Sequence, residues 1–381
     1  SGDIQYIDIS SVNQGTLSGY TRYEINEAPS RARRMIKPND IIYSTVRPNL
    51  KAYYYVKDDC PKNAIASTGF AVIRATQKSD SRFIYYLITE NSFVDYLSMV
   101  AKGSAYPAVD TNDFKKAKIK LPPLPVQQKI ADILSAYDDL IENNNRRIEI
   151  LEKAAESLYK EWFVRFRFPN YKETKFENGL PQGWKVVKLG ELVEIKGGKR
   201  LPVGKTLINE PNKHPYIKIK DIKNSKFLAL DNDFEYVDDE TQRAIKQYIT
   251  NTNDILISIV GTIGLVCVVD KSLNNANLTE NCAKLVNLNE VNYNYIYHFL
   301  SSDFGKSEIA AGIVGATQPK LPLYNIKRIK LLKPNKELLN KFDNIIEIFN
   351  RQIRRLETQN RNLIKQRDLL LPRLMSGKLE V

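Results

Sequence analysis

The sequence predicts an α+β fold in which two repeated mixed α/β units are joined by two long helices. The helices are expected to form an antiparallel intramolecular coiled coil, so that the repeats are related by a pseudo-twofold axis. Two observations lead to this prediction. Residues 126–162 and 338–374 share one spacing of apolar residues. The segments that precede them share short similarities, which indicates an internal duplication.

Both long stretches carry an apolar seam with alternating spacings of three and four, the pattern of a coiled coil. A second spacing of four follows Tyr137 and again Phe349, so both seams have the same defect at the same place. The predicted seam residues are Ile130, Ile133, Tyr137, Ile141, Asn144, Ile148 and Leu151 in the first helix, and Phe342, Ile345, Phe349, Ile353, Leu356 and Leu363 in the second.

Charge and chain connection favour pairing of the two helices with each other. The first carries more acidic than basic side chains, and the second carries more basic than acidic ones. An antiparallel pair needs no connection that runs the full helix length. A homodimeric coiled coil is the alternative. Asn144 is expected to lie in the seam against apolar neighbours, where a buried asparagine fixes the register.

The first unit has the composition of a mixed α/β domain. Strands are predicted over residues 4–9, 40–46, 52–56, 71–75 and 116–121, with a helix over 81–100. The second unit repeats this order. Its longest apolar run, residues 255–269, is too short to span a membrane and predicts two buried strands around a turn. We therefore expect no membrane partner.

The repeats give the domain boundaries. They are a first unit at 1–121, a long helix at 122–168, a linker at 169–183, a second unit at 184–334, and a second long helix with a C-terminal tail at 335–381. Residues 184–214 have no counterpart in the first repeat, which we expect to be incomplete at its N-terminal side.

Composition and motifs point to a binding protein. A net charge of +13 favours a polyanionic partner such as nucleic acid. Three scattered cysteines fit a reducing cytosol and predict neither disulfides nor a zinc site. Residues 198–206 resemble a phosphate-binding loop with one residue too many, and we interpret them as a basic DNA-facing loop. No catalytic set, metal site or cofactor motif is found.

Basic and aromatic residues crowd into both units, where arginine and glutamine suit base edges and lysine suits phosphate. The alternative is a solvated basic surface. The candidate DNA-binding residues of the first unit are Arg31, Arg33, Arg34, Arg47, Lys51 and Tyr53, with Ser104 and Tyr106 in a loop at 103–107. Those of the second are Lys199, Arg200, Lys205, Lys218 and Lys220, near Lys196 and Lys223, with Thr317, Gln318 and Lys320 in or beside the matching loop at 315–319, which could also be a plain turn.

Four segments resemble one family, the specificity (S) subunits of type I restriction–modification enzymes. Residues 121–130 are similar to the start of that family's first long helix, and residues 158–166 to its end. Residues 183–190 resemble the opening of a target recognition domain, and residues 371–379 resemble the family's C-terminus.

This resemblance implies a non-catalytic, cytoplasmic subunit without a cofactor. Its two target recognition domains would each read one half of a bipartite, asymmetric site in double-stranded DNA. The coiled coil would set the spacer and dock two adenine-methyltransferase (M) subunits, and translocase–nuclease (R) subunits would join the full complex. The alternative is a coiled-coil assembly scaffold with nonspecific DNA binding. A nuclease is disfavoured because no carboxylate cluster is found.

Overall fold

A computed structural model describes residues 2–222 and 225–381, which form two compact units. Unit 1 contains the residues up to Asn145 together with Glu357–Val381, and unit 2 contains Arg146–Leu356. Both long helices therefore contribute to both units.

In the described residues, unit 1 contains two main sheets, a two-stranded sheet and three short α-helices before the first long helix. Its strands are β1 (Asp3–Ile7), β2 (Val12–Asn13), β3 (Thr16–Leu17), β4 (Thr21–Glu24), β5 (Ala32–Met35), β6 (Asp40–Ser44), β7 (Tyr53–Tyr55), β8 (Ala64–Ser67) and β9 (Phe70–Arg74). Its helices are α1 (Ser81–Thr89), α2 (Asn91–Val100), α3 (Thr111–Lys116) and the first part of α4 (Leu124–Tyr159). The main sheets have the orders β4-β1-β8-β5 and β7-β6-β9.

Two predicted elements of unit 1 differ from the structure. The single helix over 81–100 is two helices, because Glu90 has extended backbone and its carboxylate caps α2 by accepting from Ser92 N. The strand over 116–121 is wrong: α3 ends at Lys116, and the residues between α3 and α4 form no regular element. The corresponding residues of unit 2 form a strand because a second strand pairs with them.

Unit 2 repeats this arrangement with additional strands. The strands are β10 (Phe176–Glu177), β11 (Leu180–Pro181), β12 (Lys185–Lys188), β13 (Glu194–Gly197), β14 (Pro215–Ile217), β15 (Phe227–Leu228), β16 (Glu235–Tyr236), β17 (Ile255–Ser258), β18 (Val266–Val269), β19 (Asn277–Leu278), β20 (Cys282–Val286) and β21 (Lys330–Lys333). The helices are α5 (Leu189–Leu192), α6 (Asp239–Ile245), α7 (Tyr293–Ser301), α8 (Asp303–Ala311), α9 (Leu323–Arg328) and α10 (Lys336–Met375), and the main sheets are β13-β20-β17-β18-β15 and β16-β14-β19.

The shared sheet has the same register in both units. Ile41 of β6 lies opposite Ile73 of β9, and Ile255 of β17 lies opposite Leu285 of β20. The long apolar run forms β17 and β18, two antiparallel strands around a turn, as predicted. Residues 118–121 correspond to β21, which is a strand because it pairs with β12. No strand equivalent to β12 exists in the part of unit 1 that the structure describes.

The two long helices pair antiparallel within one chain, as predicted. In unit 1 the early residue Ile130 of α4 shares a core with the late residue Leu374 of α10. In unit 2 Trp162 and Phe163, in the π-helical turn Lys160–Val164 that follows α4, pack on Phe342, with ring centroids 6.0 and 4.9 Å apart. No helix in the described ranges is long and apolar enough to cross a membrane.

The seam departs from the predicted one at Ile133, which is 36% exposed while the adjacent Leu134 is fully buried. Ile345 is likewise only half-buried, and Ile346 is fully buried. Both shifts arise because helices that also pack on a globular domain bury a stripe wider than the narrow coiled-coil seam.

Asn144 does not face apolar neighbours. Its Nδ2 donates to Oδ1 of Asn360 at 2.8 Å, and Asn360 Nδ2 donates to Oδ1 of Asn145 at 2.8 Å. Asn144 and Asn360 are both buried. The residues at the equivalent positions of unit 2 are Leu356 and Ile148, so the polar layer occurs in one half of the helix pair and an apolar layer in the other.

We predict that Asn144→Leu lowers the free energy of unfolding by about 1–3 kcal/mol, because the buried Oδ1 of Asn360 loses the donor that Asn144 supplies. Combining it with Asn360→Ile reproduces the apolar layer of unit 2 and should recover most of that loss. The measurement is urea unfolding of the native chain, the two single variants and the double variant, which together form a double-mutant cycle. Asn143→Leu, at the adjacent exposed position, is the control. A single variant that is more stable than the native chain would contradict this account.

A buried lysine joins the globular part of unit 2 to α10. The Nζ of Lys226 donates to Oδ1 of Asn294 and of Asn350, both at 2.8 Å, and it lies 5.1 Å from the ring centre of Tyr297. Burial lowers the pKa of Lys226 to about 7, although the carboxylate of Glu347 opposes the shift.

This depressed pKa makes the stability of the protein pH-dependent. An unfolded lysine has a pKa of about 10.4, so between pH 7 and 10 the unfolded state binds more protons and stability rises with pH. We expect the free energy of unfolding of Lys226→Met, relative to the native chain, to fall across this window by up to about 1.4 kcal/mol per pH unit. Chemical unfolding at several pH values tests this, with the exposed Lys365→Met as control. A constant difference from pH 7 to 10 would refute it.

Candidate nucleic-acid interface

The loops at 103–107 and 315–319 have the same geometry in both units. Paired backbone hydrogen bonds close the first between Lys102 and Ala108 and the second between Val314 and Lys320, each 2.9 Å long. Gly103 and Gly315 have φ of 102° and 93°, and a Cβ on either would meet a backbone oxygen at 3.1 or 2.8 Å. Glycine is therefore required at both positions.

Each loop presents different side chains on this shared frame. Ser104 and Tyr106 are exposed in unit 1, where Tyr106 is 69% exposed. Thr317 and Gln318 are exposed in unit 2, and Lys320 is exposed directly after that loop. Glutamine can bond the N6 and N7 of adenine, whereas tyrosine cannot make that paired contact.

Arg47 reaches the unit 1 loop from the end of β6. Its backbone N–H donates to Pro107 at 2.7 Å, its guanidinium donates to the carbonyl of Ala105 at 3.1 Å, and its Cζ lies 4.5 Å from the ring centre of Tyr106. Arg47 has a left-handed backbone with φ of 49°. The equivalent residue of unit 2 is Gly261, with φ of 74°.

The backbone of Arg47 therefore carries strain that a glycine would avoid, about 1–2 kcal/mol by the usual cost of this conformation. The stacking on Tyr106 fixes the guanidinium, while its remaining N–H groups can still bond a ligand. A fixed arginine fork is the side chain that best reads the O6 and N7 of guanine.

The other candidate basic residues of unit 1, which are Arg31, Arg33, Arg34 and Lys51, form no ion pair with a carboxylate in the described ranges. Arg31 precedes β5, and Arg33 and Arg34 lie on that edge strand, where a β-bulge leaves Arg33 without a cross-strand partner. The Nζ of Lys51 donates to Oδ1 of Asn91 at 2.8 Å. Their charge is thus available to an external anion.

Tyr53 is not placed at this surface. Its ring packs in the core against Tyr43 and Tyr85, with ring centroids 5.5 and 6.0 Å apart. Burial raises the pKa of its hydroxyl. Although Tyr53 is close to Arg47 in the sequence, its side chain packs against the core cluster that contains Ile41 and Tyr43.

In unit 2 most of the predicted cations are paired with carboxylates. Arg200 bonds Glu280 at 2.7 Å, and Lys220 bonds Glu235 at 2.9 Å. Lys218 also pairs with Glu235, and burial lowers the pKa of Lys218 to about 8.

Lys205 lies 3.4 Å from Asp238 and also pairs with Glu240. Lys196 pairs with Glu194 at 2.7 Å, and Lys223 lies outside the described residues. Lys199 is different: its ammonium lies 5.6 Å from the ring centre of Tyr248, and no carboxylate of the described residues pairs with it.

The basic loop at 198–206 is anchored at its start. Gly198 N–H donates to Cys282 at 3.0 Å and Lys199 N–H to Leu278 at 2.8 Å. A Cβ on Gly198 would lie 2.0 Å from the carbonyl oxygen of Thr279, so only glycine fits there. The loop then projects Val203, which is fully exposed.

Sequence reasoning missed the exposed apolar residues beside these cations. Leu50 lies between Arg47 and Lys51, Met35 follows Arg34, and Val203 lies near Lys205; all three are more than half exposed. Apolar side chains at a DNA surface can contact a thymine methyl or enter a base step. The available signal was an apolar residue within a basic, proline- or glycine-containing loop.

The described residues contain no group of three His, Cys, Asp or Glu side chains that could hold a metal ion. His214 bonds Asp239 at 2.8 Å, and His298 is buried, which keeps its pKa well below the usual value. The repeated loops and the basic side chains described above are suited to binding an anionic ligand.

Comparison with known proteins decides the family. The family model described as "Type I restriction modification DNA specificity domain" matches residues 1–153 and 181–366. The chain belongs to this family. The two matches confirm both the duplication and the predicted specificity subunit, a DNA-recognition component that does not itself catalyse modification or cleavage.

Relatives of the specificity subunit cover nearly all of it. It is 27% identical to the type I restriction enzyme MjaIX specificity subunit of Methanocaldococcus jannaschii, over 100% of this chain and 88% of that protein. It is 24% identical to the HindI specificity subunit of Haemophilus influenzae, over 93% and 90%. The S subunit structure from M. genitalium shares the fold, with a TM-score of 0.54 and 19% identity over 98% of this chain and 88% of that one.

Proposed function

We propose that each unit of this specificity subunit reads one half of a bipartite, asymmetric site in double-stranded DNA. The observation that carries the proposal is the repeated loop. Both units keep its backbone, yet Arg47 and Tyr106 in unit 1 stand where unit 2 has Gly261 and Gln318. Two loops with the same backbone conformation and different hydrogen-bonding side chains suit the recognition of two different half-sites.

We further propose the partners that this role requires. Two adenine-methyltransferase (M) subunits would dock on the paired helices, and translocase–nuclease (R) subunits would complete the complex in the cytoplasm. The chain itself offers binding groups, so the reactions would belong to these partners. The alternating exposed and seam positions of α4 and α10 leave an outer helical face for docking while the inner face is paired.

The reading residues can be tested separately. We expect Arg47→Ala and Gln318→Ala each to weaken binding of the cognate DNA by about 1–3 kcal/mol and to relax preference at one base, in opposite half-sites. Lys199→Ala should weaken cognate and scrambled DNA alike and reduce the salt slope by about 1, because it contacts phosphate. The measurement is selection from random DNA by the complex with methyltransferase subunits, followed by salt titrations.

Arg22→Ala is the control for Arg47→Ala, because Arg22 is exposed on β4 and already pairs with Asp3 at 2.8 Å. If Gln318→Ala or Arg47→Ala affects both DNAs equally, or neither, the repeated loops are only turns. If both substitutions relax the same half-site, the assignment of one half-site to each unit is wrong.

The helices are proposed to set the spacer between the half-sites. Inserting four residues after Asn143 and four after Asn360 lengthens both helices by roughly 6 Å and keeps Asn144 opposite Asn360. We expect the preferred gap to grow by roughly one to two base pairs, since DNA rises about 3.4 Å per pair, with unchanged half-sites. Mapping the methylated motif tests this prediction. An unchanged gap would mean that the helices do not set the spacer.

A further inference from the structure

Unit 2 contains a cavity of about 310 Å³ beside its part of the long helices. Three of the residues that line it are Ala155 of α4, Asn350 of α10 and His298 of α7. The exposed residues Glu149 and Glu156 of α4 also line it, so the cavity opens to solvent on that helix.

The three equivalent residues of unit 1 converge in the same way, but one of them is an arginine. In the order α10, α4 and α1 they are Arg367, Asp138 and Tyr86. Nη1 of Arg367 donates to Oδ1 of Asp138 at 2.6 Å, and the Tyr86 hydroxyl donates to Oδ2 of the same carboxylate at 2.6 Å. A guanidinium therefore occupies the position at which unit 2 has only the methyl group of Ala155.

The charge of this helix face also changes between the repeats. In α10 the residues one and two turns before Arg367 are Ile364 and Arg361. The corresponding residues of α4 are Glu152 and Glu149. The helix face thus carries cations in unit 1, whereas in unit 2 it carries carboxylates and a small residue.

Two acceptors at the cavity lack a side-chain partner among the described residues. Nε2 of His298 is buried without a hydrogen bond. Burial keeps the pKa of this ring well below its usual value, so the imidazole is neutral and Nε2 can accept a hydrogen bond. The half-buried carboxylate of Glu152 accepts from the backbone N–H of Lys226 and forms no ion pair in the described ranges.

The cations that line the cavity have partners or face solvent. The ammonium of Lys226 donates to two asparagine side chains at 2.8 Å, and Lys153 pairs with Glu149 at 2.6 Å. Lys306 is exposed on α8. The groups inside the cavity that still lack a partner are therefore acceptors, which suit a cationic donor.

We propose that this cavity receives one arginine side chain of the protein that docks on the long helices. Its guanidinium donates to the carboxylate of Glu152 and to Nε2 of His298, in the manner that Arg367 serves unit 1 from within the chain. A guanidinium suits both acceptors because it carries five N–H donors in a planar fork. An arginine that fills a pocket is a common anchor of protein interfaces.

The identity of the docking protein rests on the proposed function, which assigns methyltransferase subunits to these helices, whereas the binding of a guanidinium does not. Because Arg367 already fills the equivalent place in unit 1, only one of two identical subunits can insert an arginine in this way. The two subunits are therefore expected to bind with unequal affinity.

The first test observes the ring of His298 directly. The sequence contains two histidines, and His214 bonds Asp239 at 2.8 Å and does not line the cavity. The full chain, labelled at histidine and without an affinity tag, is titrated in NMR with acetyl-Gly-Arg-Gly-amide. We expect the ring signals of His298 to shift saturably, with one peptide per chain, while those of His214 stay constant.

Three further probes define the chemistry and source of the ligand. The peptide acetyl-Gly-Lys-Gly-amide should bind at least about fivefold more weakly, because an ammonium lacks the planar fork. Inorganic phosphate should not shift the His298 signals. Agmatine, a free guanidinium compound, should bind no more tightly than the arginine peptide if the site is built for a protein side chain.

Two variants locate the site. Ala155→Arg gives unit 2 the arginine that unit 1 has and should abolish binding of the arginine peptide, whereas Ser157→Arg, at an exposed position of the same helix, should leave it unchanged. Glu152→Gln keeps the shape of the side chain and should weaken binding about tenfold through loss of a charge-assisted hydrogen bond. Glu173→Gln removes the same charge from an exposed position outside the helices and should have no effect.

The second test measures assembly of the full chain with purified methyltransferase subunits. Glu152→Gln should weaken one of the two binding steps about tenfold and spare the other, while Glu173→Gln should leave both steps unchanged. A native chain that binds no methyltransferase subunit would contradict the proposed function and would leave the peptide titration as the test of the cavity.

Four results would overturn the inference. The first is no shift of His298 with the arginine peptide, and the second is an equal response to the lysine peptide or a response to phosphate. The third is binding of agmatine without binding of the arginine peptide, which would indicate a site for a free small molecule. The fourth is subunit assembly that Glu152→Gln leaves unchanged in both steps.

Discussion

A long amphipathic helix is stable in water only while its apolar face is covered, and α4 and α10 cover each other. The pair also forms part of each globular core. In unit 1 Ile130 and Leu134 share a cluster with Phe83 and Leu374, and in unit 2 Trp162 packs with Phe342. Loss of the helix pairing would therefore expose apolar residues of both cores. The stability of each globular unit thus depends on the paired helices.

The candidate DNA-binding surface combines a constant backbone with variable side chains. Gly103 and Gly315 are needed because a Cβ would meet a backbone oxygen of the loop, whereas Tyr106 and Gln318 are exposed and differ between the repeats. Arg47 accepts a strained backbone where the other repeat has glycine. Strain that persists without benefit to folding is the usual mark of a functional residue. Among the candidate cations, those of unit 1 form no ion pair in the described ranges, whereas carboxylates pair with Arg200, Lys205, Lys218 and Lys220 of unit 2.

Sequence reasoning succeeded where a period or a repeat carried the information. The helix seams, their antiparallel pairing within one chain and the strands β17 and β18 follow from spacing and duplication alone. It failed where the outcome depends on a distant partner. Asn360 faces Asn144, Glu235 pairs with Lys218, and residues 118–121 pair with no strand of the described residues. Such partners are set by the three-dimensional register, which no local pattern encodes.

The asparagine layer has a consequence for how halves of this protein can associate. Two copies of the first half alone could pair through α4 in the same antiparallel manner, because the two seams are equivalent. Each Asn144 would then face Ile148 of the other copy in place of Asn360, and its amide would be buried without a partner. Because such a symmetric dimer would contain this mismatch twice, the layer favours one chain with two unlike halves over self-association of like halves.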